Sequence, residues 1–155
     1  MIALIPMTLD HLEEVFKVEC ECFTIPWTKS AFRKELTENQ FGLYTVAVED
    51  DRVLGYAGMW HVVTEGHITN IAVGEAARGR GIGDMLVKKL IAIAQEKEMM
   101  GITLEVNVNN LKAQRLYTKN GFVPEGIRKN YYNDTKEDAV IMWRYFSYDA
   151  DTNPN

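Results

Sequence analysis

Three features of this 155-residue chain predict an α+β fold with a mostly antiparallel sheet. Residues 43–73 hold three alternating segments broken only by short polar turns, the pattern of a meander. Around the meander lie four segments with apolar residues at helical spacing. Between the third strand and the third helix stands "ARGRGIG" at 77–83, a glycine-rich run of the kind that shapes backbone around another molecule.

Each element has its own local reason. Thr8 or Asp10 can cap a first helix in which Leu12, Val15, Phe16 and Glu19 share one stripe, with Glu13 and Glu14 at its positive end. It ends near "CFTIPW". After Pro26 and Trp27 a short second helix runs through "TKSAFRKEL", with Thr28 or Ser30 as its cap. "LYTVAVEDDRVLGYAGMWHVV" reads as two strands about a tight turn at Asp50 and Asp51, and "TEG" at 64–66 turns into a third strand, "HITNIAV".

The third helix is expected from Asp84 to about Met99, with Leu86, Leu90, Ile93 and Ala94 in register. In the strand "ITLEVNVNN", Leu104, Val106 and Val108 point one way while Thr103, Glu105 and Asn107 point the other, so a carboxylate sits on the polar face. Asn110 caps the fourth helix, "LKAQRLYTKNGF", and Gly121 closes it; the spacing puts Asn110 and Tyr117 near one face, about two turns apart. A strand, a loop of about ten residues and a last strand, Ala139 to Phe146, complete the chain. Residues 1–148 form one domain, with 149–155 a loose tail.

Composition bounds the function. A chain that is 46% hydrophobic and 25% charged is an ordinary globular one, long enough to bury a core without disulfides or metal. A net charge of −5 argues against direct nucleic-acid binding and suits a cationic acceptor. With no basic leader and no apolar run of membrane-spanning length, the expected place is the cytoplasm, away from membranes. Cys20 and Cys22 have no second pair, and His11, His61 and His67 are scattered, so no metal is expected.

The glycine run matches neither common nucleotide motif. No Gly-Lys-Ser/Thr follows, and Asp84 stands where a dinucleotide fingerprint needs its third glycine. What remains is Arg78-x-x-Gly81-x-Gly83 between a strand and a helix, where amides, the helix dipole and nearby Arg80, Lys88 and Lys89 favour an anion such as a pyrophosphate.

That motif resembles the acetyl-coenzyme A loop of the GNAT superfamily of N-acetyltransferases, and the order of elements follows the same fold along nearly the whole chain. "PW" at 26–27, "NIAV" at 70–73, "LEV" at 104–106, "RLYTKNGF" at 115–122 and "RKNYY" at 128–132 resemble the bacterial ribosomal-protein alanine N-acetyltransferases, the RimI type. The resemblance implies a three-layer α/β/α fold. Its seven-stranded mixed sheet has two splayed parallel central strands, with about four helices.

It also implies a site. Acetyl-CoA is the cosubstrate, its pantetheine arm pairing with backbone at Ile71, Ala72 and Val73 and its pyrophosphate held by the loop Arg78, Gly79, Arg80, Gly81, Ile82 and Gly83; Asn110 and Tyr117 also contact it. Glu105 serves as general base and Tyr117 as general acid. Pro26, Trp27, Tyr131 and Tyr132 line the acceptor groove. The acceptor is a protein N-terminus, the alanine of small-subunit ribosomal protein eighteen, and the enzyme is a monomer or weak homodimer. A small-molecule amine acceptor, or a noncatalytic acyl-CoA-binding regulator, stands as the alternative.

The chemistry is modest. An α-amine with a pKa of about 7.7–8.0 is already partly neutral at pH 7, so one carboxylate suffices as base. Full proton transfer from a phenol near 10 to a thiol near 8.5 is uphill by roughly 2 kcal/mol, which favours hydrogen bonding to the leaving sulfur. One departure stands out: Asn107 follows "LEV" where the resembling enzymes commonly carry Arg.

Overall fold

The two aspartates of the first tight turn adopt positive φ, 51° at Asp50 and 62° at Asp51, in the computed structural model of the chain, which describes residues 1–132 and 135–148. That left-handed pair matches the twist of the strands it joins, and Asp tolerates it better than most residues. The expected tail at 149–155 lies outside the described residues, as do Asn133 and Asp134 of the last loop.

In order the elements are β1 (Ala3–Pro6), α1 (Leu12–Cys22), α2 (Lys29–Thr37), β2 (Gly42–Glu49), β3 (Arg52–Val62), β4 (Glu65–Val73), α3 (Ile82–Glu96), β5 (Gly101–Asn107), α4 (Leu111–Lys119), β6 (Val123–Arg128) and β7 (Ala139–Tyr145), with 3-10 turns at Leu9–His11 and Glu75–Ala77. The strands form one seven-stranded sheet in the order β1-β2-β3-β4-β5-β7-β6. Among the described residues only β4 and β5 run parallel.

β1 was not foreseen from the pattern. Four residues are too few to show a period, and Pro6 is tolerated because the strand is an edge, pairing Ala3 to Val48 through Pro6 to Thr45. On α1 the buried stripe is Leu12, Val15, Val18 and Glu19, so Val18 takes the place expected for Phe16. α3 begins at Ile82, two residues before the expected start, since Gly81 at φ 78° serves as its N-cap.

Side-chain alternation in the strands divides the interior into two layers. Ala57 and Met59 face α3 and α4, meeting Ile82, Leu86, Leu90 and Tyr117, whereas Tyr56 faces α1 and α2, meeting Val15, Val18 and Phe32. At about 1.5–3 kcal/mol for each fully buried large aliphatic chain, these two layers are the main stabilising term.

Candidate active site

β4 and β5 pair only at Glu65–Gly101, Gly66–Ile102 and His67–Thr103. Beyond His67 they part. The register between β3 and β4 explains the divergence: Met59 opposes Ile68 and Gly58 opposes Asn70, so Thr69 is an extra residue on β4. Such a bulge bends and twists its strand. The Gly74 N–H donates to the Leu54 carbonyl at 2.8 Å, and antiparallel alternation from that pair turns the N–H and C=O of Ile71 and Val73 away from β3, into the gap. The Val73 carbonyl already accepts from Cys22 Sγ and Arg78 Nε, both at 3.3 Å, which leaves both Ile71 groups and the Val73 N–H for a ligand.

At the end of β4 the glycine loop presents backbone rather than charge. Gly79 and Gly81 lie at φ 82° and 78°, and a Cβ at either would meet nothing within 4 Å. The loop is therefore an open cradle at the N-terminus of a fifteen-residue helix, and it fits a pyrophosphate. Gly83 instead serves packing, its absent Cβ lying 3.4 Å from Leu116 on α4. The loop's cations are less free than their spacing suggested. Arg80 is bidentate to Glu49 at 2.9 Å, Arg78 lies along Val73 and Cys22, and Lys88 binds Asp84 at 2.6 Å.

Across the gap, Leu104 and Val106 belong to the α3–α4 layer, so Glu105 between them faces the opposite, α1–α2 side. Its Oε2 lies 3.1 Å from Arg128 Nε, with the carboxylate side chain 25% exposed. Tyr131 and Tyr132 stand edge to face, 5.0 Å between ring centres. Burial and then the charge of Glu105 raise the Tyr131 hydroxyl above its ordinary value; burial, Tyr131 and Glu105 push that of Tyr132 up to about 12.

Tyr117 lies on the other layer and is 9% exposed. Its place is set by the end of α4: the Gly121 N–H donates to the Thr118 carbonyl and the Phe122 N–H to the Tyr117 carbonyl, both at 3.0 Å, while the Phe122 ring packs 5.7 Å from the Tyr117 ring. This is the closing motif that Gly121, at φ 89°, makes possible. Burial raises the Tyr117 hydroxyl well above its ordinary value, with Tyr132 adding to the shift. Among the described residues that hydroxyl has no hydrogen-bond partner, yet its oxygen keeps some accessible surface. Tyr132 thus interacts electrostatically with both Glu105 and Tyr117. Asn110 caps α4 by accepting the Ala113 N–H at 3.1 Å, leaving its side-chain N–H groups for other partners.

Comparison with known proteins gives the family and the fold. The model of the acetyltransferase (GNAT) family matches residues 12–122. The chain belongs to the GNAT acetyltransferase family. A Bacillus subtilis relative, 44% identical over 137 residues that cover 88% of this chain and 91% of its own, carries provisionally the name [ribosomal protein bS18]-alanine N-acetyltransferase. A Haemophilus influenzae relative with that name is 32% identical over 86% of this chain and 91% of its own. The crystal structure of the ribosomal-protein-S18-alanine N-acetyltransferase from Escherichia coli superposes with a TM-score of 0.88 at 26% identity, covering 96% of each chain.

The remaining predicted site residues of this GNAT enzyme, Pro26 and Trp27, sit on the α1–α2 connection. The Trp27 ring packs 5.1 Å from Phe32 and 6.5 Å from Tyr44, and the Trp27 backbone N–H donates to Glu19 at 2.8 Å. Glu19 also accepts from the Tyr56 hydroxyl, which in turn accepts from Asn70 Nδ2 at 2.8 Å. Burial raises the Glu19 carboxyl above its ordinary value, against the opposing pull of these donors. Sequence reasoning assigned Glu19 no role, although a carboxylate on the apolar stripe of α1 was the available signal. Asn107, where the RimI type commonly has Arg, holds Glu137 at 2.8 Å and accepts the Asn109 N–H.

A groove of about 980 Å³ opens elsewhere, between α1 and the β2–β3 turn, lined in part by Glu13, Phe16, Lys17 and Glu49. None of the predicted catalytic residues lines it, whereas Ile71, Val73 and Glu105 belong to the two strands that part at the β4–β5 gap. Among the described residues no helix is long and apolar enough to cross a membrane, and no group of three or more His, Cys, Asp or Glu side chains is placed to hold a metal ion.

Proposed function

We propose that this GNAT enzyme transfers the acetyl group of acetyl-CoA to the N-terminal α-amine of a protein, the alanine of ribosomal protein bS18, with Glu105 as general base and Tyr117 as general acid. The acceptor assignment rests on the named relatives, which align along most of their own length. The chemical assignment rests above all on Tyr117, a nearly buried side chain whose hydroxyl, among the described residues, has no hydrogen-bond partner and is left for a ligand.

The residues divide the work between the two faces of the sheet. Backbone at Ile71 and the glycine loop hold acetyl-CoA, which supplies the activated acyl group. On the α1–α2 side, between Trp27 and the Tyr131–Tyr132 pair, the amine meets Glu105, which takes its proton directly or through one water. Arg128 fixes that carboxylate in place. The Val73 N–H, turned into the gap, stabilises negative charge on the carbonyl oxygen. Tyr117, on the α3–α4 side, hydrogen-bonds the departing sulfur. Its raised pKa makes complete proton transfer still less favourable, so donation without transfer is the larger part of its role.

Thiol release from acetyl-CoA tests the reading with two peptides, one beginning with a free alanine and one with the same sequence blocked at its N-terminus but carrying a free lysine. Turnover on the first alone is expected. Turnover on neither, in a protein that still binds acetyl-CoA, overturns the acceptor assignment.

A further inference from the structure

The α1–α2 face holds a buried carboxylate that the chemistry above does not use. Glu19 is 2% exposed, and none of the ion pairs among the described residues includes it. An uncompensated buried charge costs several kcal/mol unless hydrogen bonds replace its water. Glu19 has those bonds, and the segments they join are informative.

One oxygen receives the Trp27 N–H at 2.8 Å and the other the Tyr56 hydroxyl. Tyr56 passes the connection to Asn70 on β4. Asn70 follows the extra residue Thr69, and the bulge turns both side chains to this face: Asn70 toward Tyr56, and Thr69 toward the Tyr44 side of Gly58. The carboxylate therefore links the end of α1, the connection carrying Pro26 and Trp27, and the point where β4 leaves β5. A second carboxylate repeats the device one helix later: Glu35 accepts from Tyr44 at 2.6 Å and Trp60 at 2.7 Å, fastening α2 to β2 and β3. Among the described residues the α3–α4 layer has no fully buried carboxylate; its buried polar members are Tyr117, Thr45 and Asn120.

We propose that Glu19 is a positioning residue for the acceptor: through Trp27 on one side and Tyr56–Asn70 on the other, it locks the α1–α2 connection against the β4 bulge and so sets the acceptor side of the gap. This deepens the reading that Pro26 and Trp27 border the acceptor groove, and rests on it. The cofactor side, built from Ile71 backbone and the glycine loop, does not depend on this lock.

The test compares Glu19→Gln and Asn70→Ala with Leu90→Ala, a cavity on the opposite layer that controls for lost stability. Removing one of these hydrogen bonds is worth about 1 kcal/mol, so the KM for the acceptor should rise about fivefold in both lock variants while the KM for acetyl-CoA stays within about twofold. Leu90→Ala should move neither. Amide exchange at Trp27, whose backbone N–H is bonded to Glu19, measured in the same proteins without turnover, should quicken in Glu19→Gln more than in the control. Should the alanine peptide prove not to be the acceptor, the same KM split is expected with whichever amine the wild type uses, so the two readings fail separately. Equal rises in both KM values, no rise in either, or amide exchange no faster than in Leu90→Ala overturns the proposal.

Discussion

The two faces of the sheet are built on different principles. Against α3 and α4 the interior is largely aliphatic, with Leu86, Val87, Leu90 and Ala94 fully buried over Ala57 and Met59. Against α1 and α2 the apolar layer is threaded by carboxylates, tyrosines, an asparagine and an indole N–H, all paired. Dispersion and area burial are indifferent to small shifts of angle, whereas hydrogen bonds fix distance and direction. The aliphatic face therefore supplies stability, and the polar face supplies placement. Glu105 lies on the polar face and Tyr117 on the aliphatic one.

The largest expected effect is on catalysis and separates the two faces chemically. Tyr117→Phe keeps the ring that packs on Phe122 and removes only the donor, so kcat should fall by about 10²-fold with the fold intact. Glu105→Gln should lower kcat by a similar factor. Steady-state kinetics over pH 5–9 checks both. Unchanged kcat in either variant removes that residue from the mechanism.

Next in size is stability on the aliphatic face. Leu90 is fully buried on α3, and Leu90→Ala should cost about 2–5 kcal/mol by leaving a cavity. For a chain of this length, that is a fall in Tm of roughly 5–15 °C, read by thermal unfolding. The comparison between faces breaks if this variant alters the acceptor KM as much as Glu19→Gln does.

These contrasts were only partly legible in the sequence. The meander, the cap at Asn110, the pair Thr28 or Ser30 of which Thr28 is the cap, and the closing glycine at 121 are local, so residue type and spacing were enough to find them. β1 escaped because its reason to be a strand lies in β2, some forty residues away. The bulge at Thr69 was hidden inside "HITNIAV", whose imperfect alternation reads as an ordinary strand. Glu105 was visible as a lone carboxylate on a polar strand face. Glu19 was seen on the apolar stripe but without its partners, because Tyr56 and Asn70 come from distant strands. The pairing of Arg80 with Glu49 likewise spans the chain, and so the loop's cations looked freer than they are.

The smallest expected effect concerns the joint between α3 and α4, the helix that carries Tyr117. Asp84, in the first turn of α3, accepts from Lys88 at 2.6 Å and from Asn120 at 2.9 Å, with Lys119 at 3.5 Å. These partners hold its carboxyl at about 2, against an ordinary 3.8, the hydrogen bond from Lys88 contributing most. A carboxyl with a depressed folded pKa contributes stability above its unfolded value and loses it as the pH falls through the folded one. Asp84→Asn should therefore be less stable than wild type above pH 4, by under about 1 kcal/mol because the pair is partly solvated. The gap between the two should close between pH 4 and 2. Denaturant unfolding across that range measures it, and a difference that persists at pH 2 would mean that Asp84 acts through packing rather than charge.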